Sequence, residues 1–171
     1  MMRVPLSSCL SALMALALVP AAAGEARRPR ILDVRPSAGA TDTFGTFELT
    51  VRLDAEYQNP YDPDDIDLAA DVTDPAGQVR RVNGFLYQEY DRTLKDGKEL
   101  LVARGEPVWK VRCAPATPVE HSVQVRVSTR GGEATGAPVR FTARPSRSQG
   151  FIGVSRRNPR YFEFSTGRPY F

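Results

Sequence analysis

A chain of 171 residues that is 42% hydrophobic and 25% charged has the length of one domain with a short extension, and its composition excludes a wholly disordered polymer. A formal charge of +3, from 23 Lys and Arg against 20 Asp and Glu, is too modest to suggest a nucleic-acid binder. Two cysteines, Cys9 and Cys113, are too few for a disulfide scaffold.

The chain opens on a targeting pattern. Met1, Met2 and Arg3 supply a positive start, Leu10 to Val19 an apolar run too short to span a bilayer, and Ala21, Ala22 and Ala23 the small residues of a cleavage site. Residues 1–23 therefore read as a signal peptide, with export to the periplasm or beyond the cell and no membrane attachment after cleavage. Leu6, Ser7, Ser8 and Cys9 have the residue types of a lipobox, but a lipobox cysteine follows the apolar run and Cys9 precedes it. Cleavage leaves Cys113 as the lone thiol, so either stability comes from burial or Cys113 pairs with a cysteine that is not in this chain.

Residues 24–30 form a polar lead-in without periodicity. Beyond them the signal has period two. Phe47, Leu49, Val51 and Leu53 alternate with polar residues, as do Ile66, Leu68, Ala70 and Val72. Pro75 and Gly77 then turn the chain into a strand from Val79 to Tyr87, in which Gly84 predicts a bulge. Residues 88–97 (QEYDRTLKDG) read as a loop. Trp109, Val111 and Cys113 share one face of the next strand; His121, Val123, Val125 and Val127 share a face of another, and Val139, Phe141 and Ala143 of a last one. No stretch carries a helical stripe. Short strands between turn signals over about 115 residues, 31–145, predict an all-β, immunoglobulin-like antiparallel β-sandwich pinned by Trp109.

Residues 146–150 look like a boundary. After it, Tyr161, Phe162, Phe164, Tyr170 and Phe171 flank the turn-like Ser165, Thr166 and Gly167, which predicts a terminal β-hairpin with more aromatic surface than it can bury by itself.

No constellation for catalysis is visible, and neither a metal nor another cofactor is assigned. His121, the only histidine, lies on the inward parity of a valine strand, as Cys113 does beside Trp109, and both read as structural. Asp62, Asp64, Asp65 and Asp67 cluster carboxylates as calcium sites do, but lack the glycine and distal glutamate of an EF-hand loop. Tyr57, Tyr61, Tyr87 and Tyr90 are candidate stacking platforms for a carbohydrate. Arg112, Arg126 and Arg140, on outward faces, are candidates for contact with acidic polysaccharide or a neighbouring domain.

The order of these features resembles a known family. NPYDPDDIDLAADVTDPAGQVRRVNGF, then EPVWKVRCAP, then VRFTARPSRSQGFIGVSRRNPRYFEFSTGRPYF is similar to the N-terminal immunoglobulin-like domain of unknown function that precedes the catalytic barrel in apiosidase-like bacterial glycoside hydrolases. The resemblance covers residues 31–171. It implies that 146–171 are a linker and the first hairpin of a downstream barrel that carries the catalytic carboxylates, so no catalytic residue falls within this chain. The function implied is a non-catalytic accessory domain that buttresses or positions that barrel. The alternative is an independent module that binds plant-type polysaccharide through tyrosines and arginines.

Overall fold

The computed structural model describes residues 27–171; the signal peptide read at 1–23 lies outside them. Twelve strands form among the described residues: β1 (Arg30–Pro36), β2 (Ala40–Asp42), β3 (Phe47–Asp54), β4 (Ile66–Thr73), β5 (Val79–Lys95), β6 (Lys98–Cys113), β7 (Glu120–Thr129), β8 (Gly132–Thr135), β9 (Val139–Arg144), β10 (Ile152–Val154), β11 (Phe162–Phe164) and β12 (Pro169–Tyr170). The first nine make one sheet in the order β1-β3-β6-β5-β4-β7-β9-β2, with β8 also on β7. β4 takes one edge of β7, so β8 and β9 share the other as two pieces of a strand interrupted at 136–138. β2 closes the row by pairing parallel to β9.

This sheet curls until its two ends face each other, and the alternating apolar residues meet between them. The ring of Phe47 on β3 stacks on that of Phe141 on β9, with centroids 3.8 Å apart and planes at 9°. Around that pair lie Leu49, Val51, Leu68, Val72, Trp109, Val111, Val123 and Val125, all buried. The inward parity expected of each run holds, with Leu53 and Val139 only partly buried at the ends. The architecture is all-β and sandwich-like.

One strand makes the curl. Val79–Asn83 of β5 pair with β4, whereas Gly84 and the residues after it pair with β6. Gly84 was expected to mark a bulge, but the register runs through it without a shift. Its role is close approach: a Cβ there would lie 2.6 Å from Leu68 Cδ2 and 2.9 Å from the Leu68 carbonyl oxygen. The register shifts instead between Tyr87 and Glu89. There the Gln88 amide nitrogen, with two hydrogens to donate, lies 2.9–3.1 Å from the carbonyl oxygens of Glu89, Arg104 and Gly105 and ties the two strands together across the irregularity.

Past that shift the expected loop at 88–97 is a ladder. β5 and β6 continue as a two-stranded arm to Lys95 and Lys98. Asp96 and Gly97, at φ 52° and 72°, close it in the left-handed conformations of a tight two-residue hairpin turn. Periodicity misses the arm because neither face is covered, so nothing forces its residues to alternate.

The terminal hairpin forms about the expected turn: Gly167 N–H donates to Phe164 O and Phe164 N–H to Arg168 O, each at 2.8 Å. It is one strand larger than expected, because β10 pairs with the other edge of β11. Ser146 is tied to Thr43, donating from Oγ to the Thr43 carbonyl at 2.8 Å and from N–H to its hydroxyl at 3.1 Å. Phe44, at φ 63°, sets its ring edge-on to Phe151 at 6.0 Å.

Between β3 and β4, the loop is held by Asp65. Its side chain is buried and accepts from the backbone N–H of Asn59 at 2.7 Å and of Gln58 at 2.6 Å. Those two bonds, with the charge of Arg130 at 3.5 Å, hold its carboxyl below the usual range against the opposing effect of burial.

Gly84→Ala should cost about 1–3 kcal/mol of stability through overpacking, read from urea denaturation; an unchanged midpoint would mean that the crossing has room to spare. For Asp65 the folded carboxyl titrates below its unfolded counterpart at about 3.9. Its contribution is therefore complete above that value and lost as pH falls through the folded one. Asp65→Asn should lower stability at neutral pH and flatten the acid limb below about pH 4, measured by thermal melts across pH.

Candidate functional site

The four tyrosines of the expected carbohydrate face are dispersed. Tyr57 packs edge-on to Trp109 at 6.0 Å, and the indole Nε1–H donates to its hydroxyl at 3.4 Å; it caps the core. Tyr87 lies beneath the ammonium of Lys110, 4.1 Å from the ring centre, so that face is not an open platform. Tyr90 stands out on the arm, half exposed. Tyr61 alone, 79% exposed, borders a cleft of about 260 Å³ with Pro60, Pro63, Asp67, Asn83 and Phe85 at the Gly84 crossing.

The outward arginines are likewise occupied. Arg112 forks onto Glu48, with Nη2 at 2.6 Å and Nε at 3.0 Å, and lies over the ring of Phe85. Lys110 reaches the other oxygen of Glu48 at 2.6 Å. Burial opposes the charge on Glu48, but the hydrogen bonds from Lys110 and Arg112 outweigh it and hold the carboxyl below its usual range. Arg126 pairs with Asp71 at 2.9 Å and Arg140 with Glu120 at 3.5 Å. A guanidinium already neutralised by a carboxylate is a poor receptor for an acidic sugar.

His121 is buried against Phe141, ring centres 5.3 Å apart, with Nε2 3.1 Å from the Thr117 carbonyl oxygen. Cys113 is buried, and desolvation pushes its thiol up, away from the reactive thiolate. The acidic loop is spent within the fold. Asp65 faces the backbone, Asp62 Oδ1 accepts from Asp64 N–H at 3.0 Å, and Asp67 pairs with Arg81 at 2.8 Å. Among the described residues no three such side chains converge on a metal position.

What remains open is apolar. On the terminal sheet Phe151, Ile152, Val154, Tyr161, Phe162, Tyr170 and Phe171 are all exposed, around two hollows of about 580 and 260 Å³. The one carboxylate that lines them is Glu163. The N–H of Arg156 and the hydroxyl of Ser155 bond it and keep it below its usual range, a loop clamp rather than a member of a catalytic pair. Sequence reading found the aromatics at 161–171 but not Phe151, Ile152 and Val154, whose three-residue strand is too short for a periodic signal.

No family model matches the sequence, and no curated protein matches it. A solved chain described as a "putative glycoside hydrolase from Bacteroides vulgatus ATCC 8482" is similar over 78% of this chain, with a TM-score of 0.51 and 19% identity. The matched part is 22% of that chain, so this protein spans about a fifth of its length. At such identity the likeness speaks to fold and not to activity.

Proposed function

We propose that this chain is a non-catalytic, immunoglobulin-like accessory domain of an exported glycoside hydrolase, and that its terminal sheet is the surface on which the catalytic barrel seats. The observation that carries the reading is the terminal sheet itself: seven large apolar side chains stand exposed within residues 151–171. A contiguous apolar patch on a small sheet marks an interaction surface. The immunoglobulin-like assignment draws support from strand order, with β1, β3, β6 and the later part of β5 opposite β4, β7 and β9, and β2 parallel to β9. The likeness to a much longer chain described as a "putative glycoside hydrolase" fits a domain joined to others. The partner is a downstream barrel, and the substrate class is polysaccharide.

Glycosidases need two carboxyl groups flanking the scissile bond, and the terminal hollows carry Glu163 alone. Incubated with arabinan, pectin and aryl glycosides, the purified chain should release no sugar; turnover lost on replacing a single Asp or Glu would overturn the accessory role. Removal of residues 151–171 should leave the melting temperature of the sandwich unchanged and reduce binding of an apolar dye. If that deletion unfolds the sandwich, the terminal sheet is part of its core and not a docking face.

A second reading, direct polysaccharide binding, is favoured by Tyr61, the one candidate tyrosine that borders a cleft and is nearly free of cover. On that reading Tyr61→Ala abolishes retardation of the chain in polysaccharide-containing gels at unchanged stability, and no retardation of the parent chain rules it out.

A further inference from the structure

Charge is not spread evenly along the chain. Residues 146–171 hold five arginines and one carboxylate, Glu163, a formal +4 in a chain whose total is +3. In the sandwich most arginines meet a carboxylate, as Arg112 and Arg126 do. Among the described residues none of Arg147, Arg156, Arg157, Arg160 and Arg168 has one within ion-pair distance. Unpaired guanidinium groups gathered on one small sheet are a ready receptor for an anion.

The strand register divides that sheet into two unlike faces. Ile152 lies opposite Phe164, and Phe162 lies between Val154 and Tyr170, so these five apolar side chains share one face. Gly153, Glu163 and Pro169 form a row on the other. The first face carries no charged side chain in its strands and suits a docked domain; the second stays open when the first is covered. There Glu163, Pro169, Tyr161 and Arg157 border the hollow of about 260 Å³. Arg157 reaches over the turn at Gly167, its Nη2 3.9 Å from where a Cβ would stand. Glu163 is fixed by the Ser155 hydroxyl on Oε2 at 2.8 Å and by the Arg156 N–H on Oε1 at 3.1 Å, and each oxygen keeps a lone pair for a further donor. Tyr161, 62% exposed, supplies a free aromatic ring.

We propose that this hollow binds a uronate residue of an acidic oligosaccharide, with the sugar ring against Tyr161, its carboxylate on the fork of Arg157 and its hydroxyls donating to Glu163. A few polar groups converging on an apolar wall are what such a ligand needs. Carboxylate and hydroxyls leave opposite sides of a pyranose, so one residue reaches both partners while its charge stays away from Glu163. A neutral sugar leaves Arg157 unanswered, and an acidic peptide brings no hydroxyl array to Glu163, which repels its carboxylates. The inference rests on reading the chain as part of a polysaccharide-degrading enzyme, and it names the charge class of that polysaccharide.

Titration of the full chain, followed through its backbone amide NMR signals, should show saturable binding of trigalacturonate with shifts centred on residues 155–170. Galactotriose, which lacks the charge, and triglutamate, which lacks the hydroxyls, should bind at least about tenfold more weakly. Arg157→Gln and Tyr161→Ala should each weaken trigalacturonate binding by about tenfold or more at unchanged melting temperature. Arg147→Gln, the same loss of charge outside the hollow, should change it by less than about twofold. No saturable binding up to about 20 mM, shifts centred on the Tyr61 cleft, or equal affinity for either control ligand overturns the inference. Equal weakening by Arg147→Gln does so too, as diffuse attraction for any acidic partner would give. None of these outcomes touches the accessory role, which fails instead on release of sugar by the chain.

Discussion

Everything in the sandwich depends on the passage of β5 from one half of the sheet to the other beside Leu68. The crossing brings the backbone of Gly84 so near to β4 that a methyl group has no place, and it lets two amphipathic halves close over one core instead of exposing a flat apolar face. With the halves closed, Phe141 lies between Phe47 and His121, and the single indole packs under the loop that Asp65 holds. The buried polar groups here are answered by the fold: His121 by a carbonyl, Asp65 by two backbone N–H groups. Burial of this kind leaves them structural rather than reactive.

Electrostatics outside the core follow a single pattern. Carboxylates on one strand meet cations on the next, as Glu48 meets Lys110 and Arg112 or Asp71 meets Arg126. Exposed pairs of this sort add little stability each. Their effect is on recognition, because they cancel the modest positive charge where an anionic partner would otherwise bind.

The molecule accordingly presents two apolar surfaces at opposite ends of a closed core, the terminal sheet and the arm. Both are thin ribbons with few buried contacts, which places them at the low-stability end of the structure. Covering either one would remove its apolar side chains from water and stabilise that ribbon.

The sequence by itself determined the parity of the core strands, because alternation is a property of neighbouring residues and one face of each strand had to be buried. Phe47 to Val51, Ile66 to Val72, Trp109 to Cys113 and His121 to Val127 were all legible for that reason, as was the turn at Ser165 to Gly167. Only the tertiary structure decided what depends on residues far apart in the chain. It turned Gly84 from a bulge into a crossing, placed Tyr87 under Lys110, and set Glu48 against a lysine 62 positions away, which dispersed the expected tyrosine face. The arm escaped sequence reading for the complementary reason: with both faces in solvent, burial imposes no pattern, and the backbone ladder that holds it together leaves no trace in the order of the side chains.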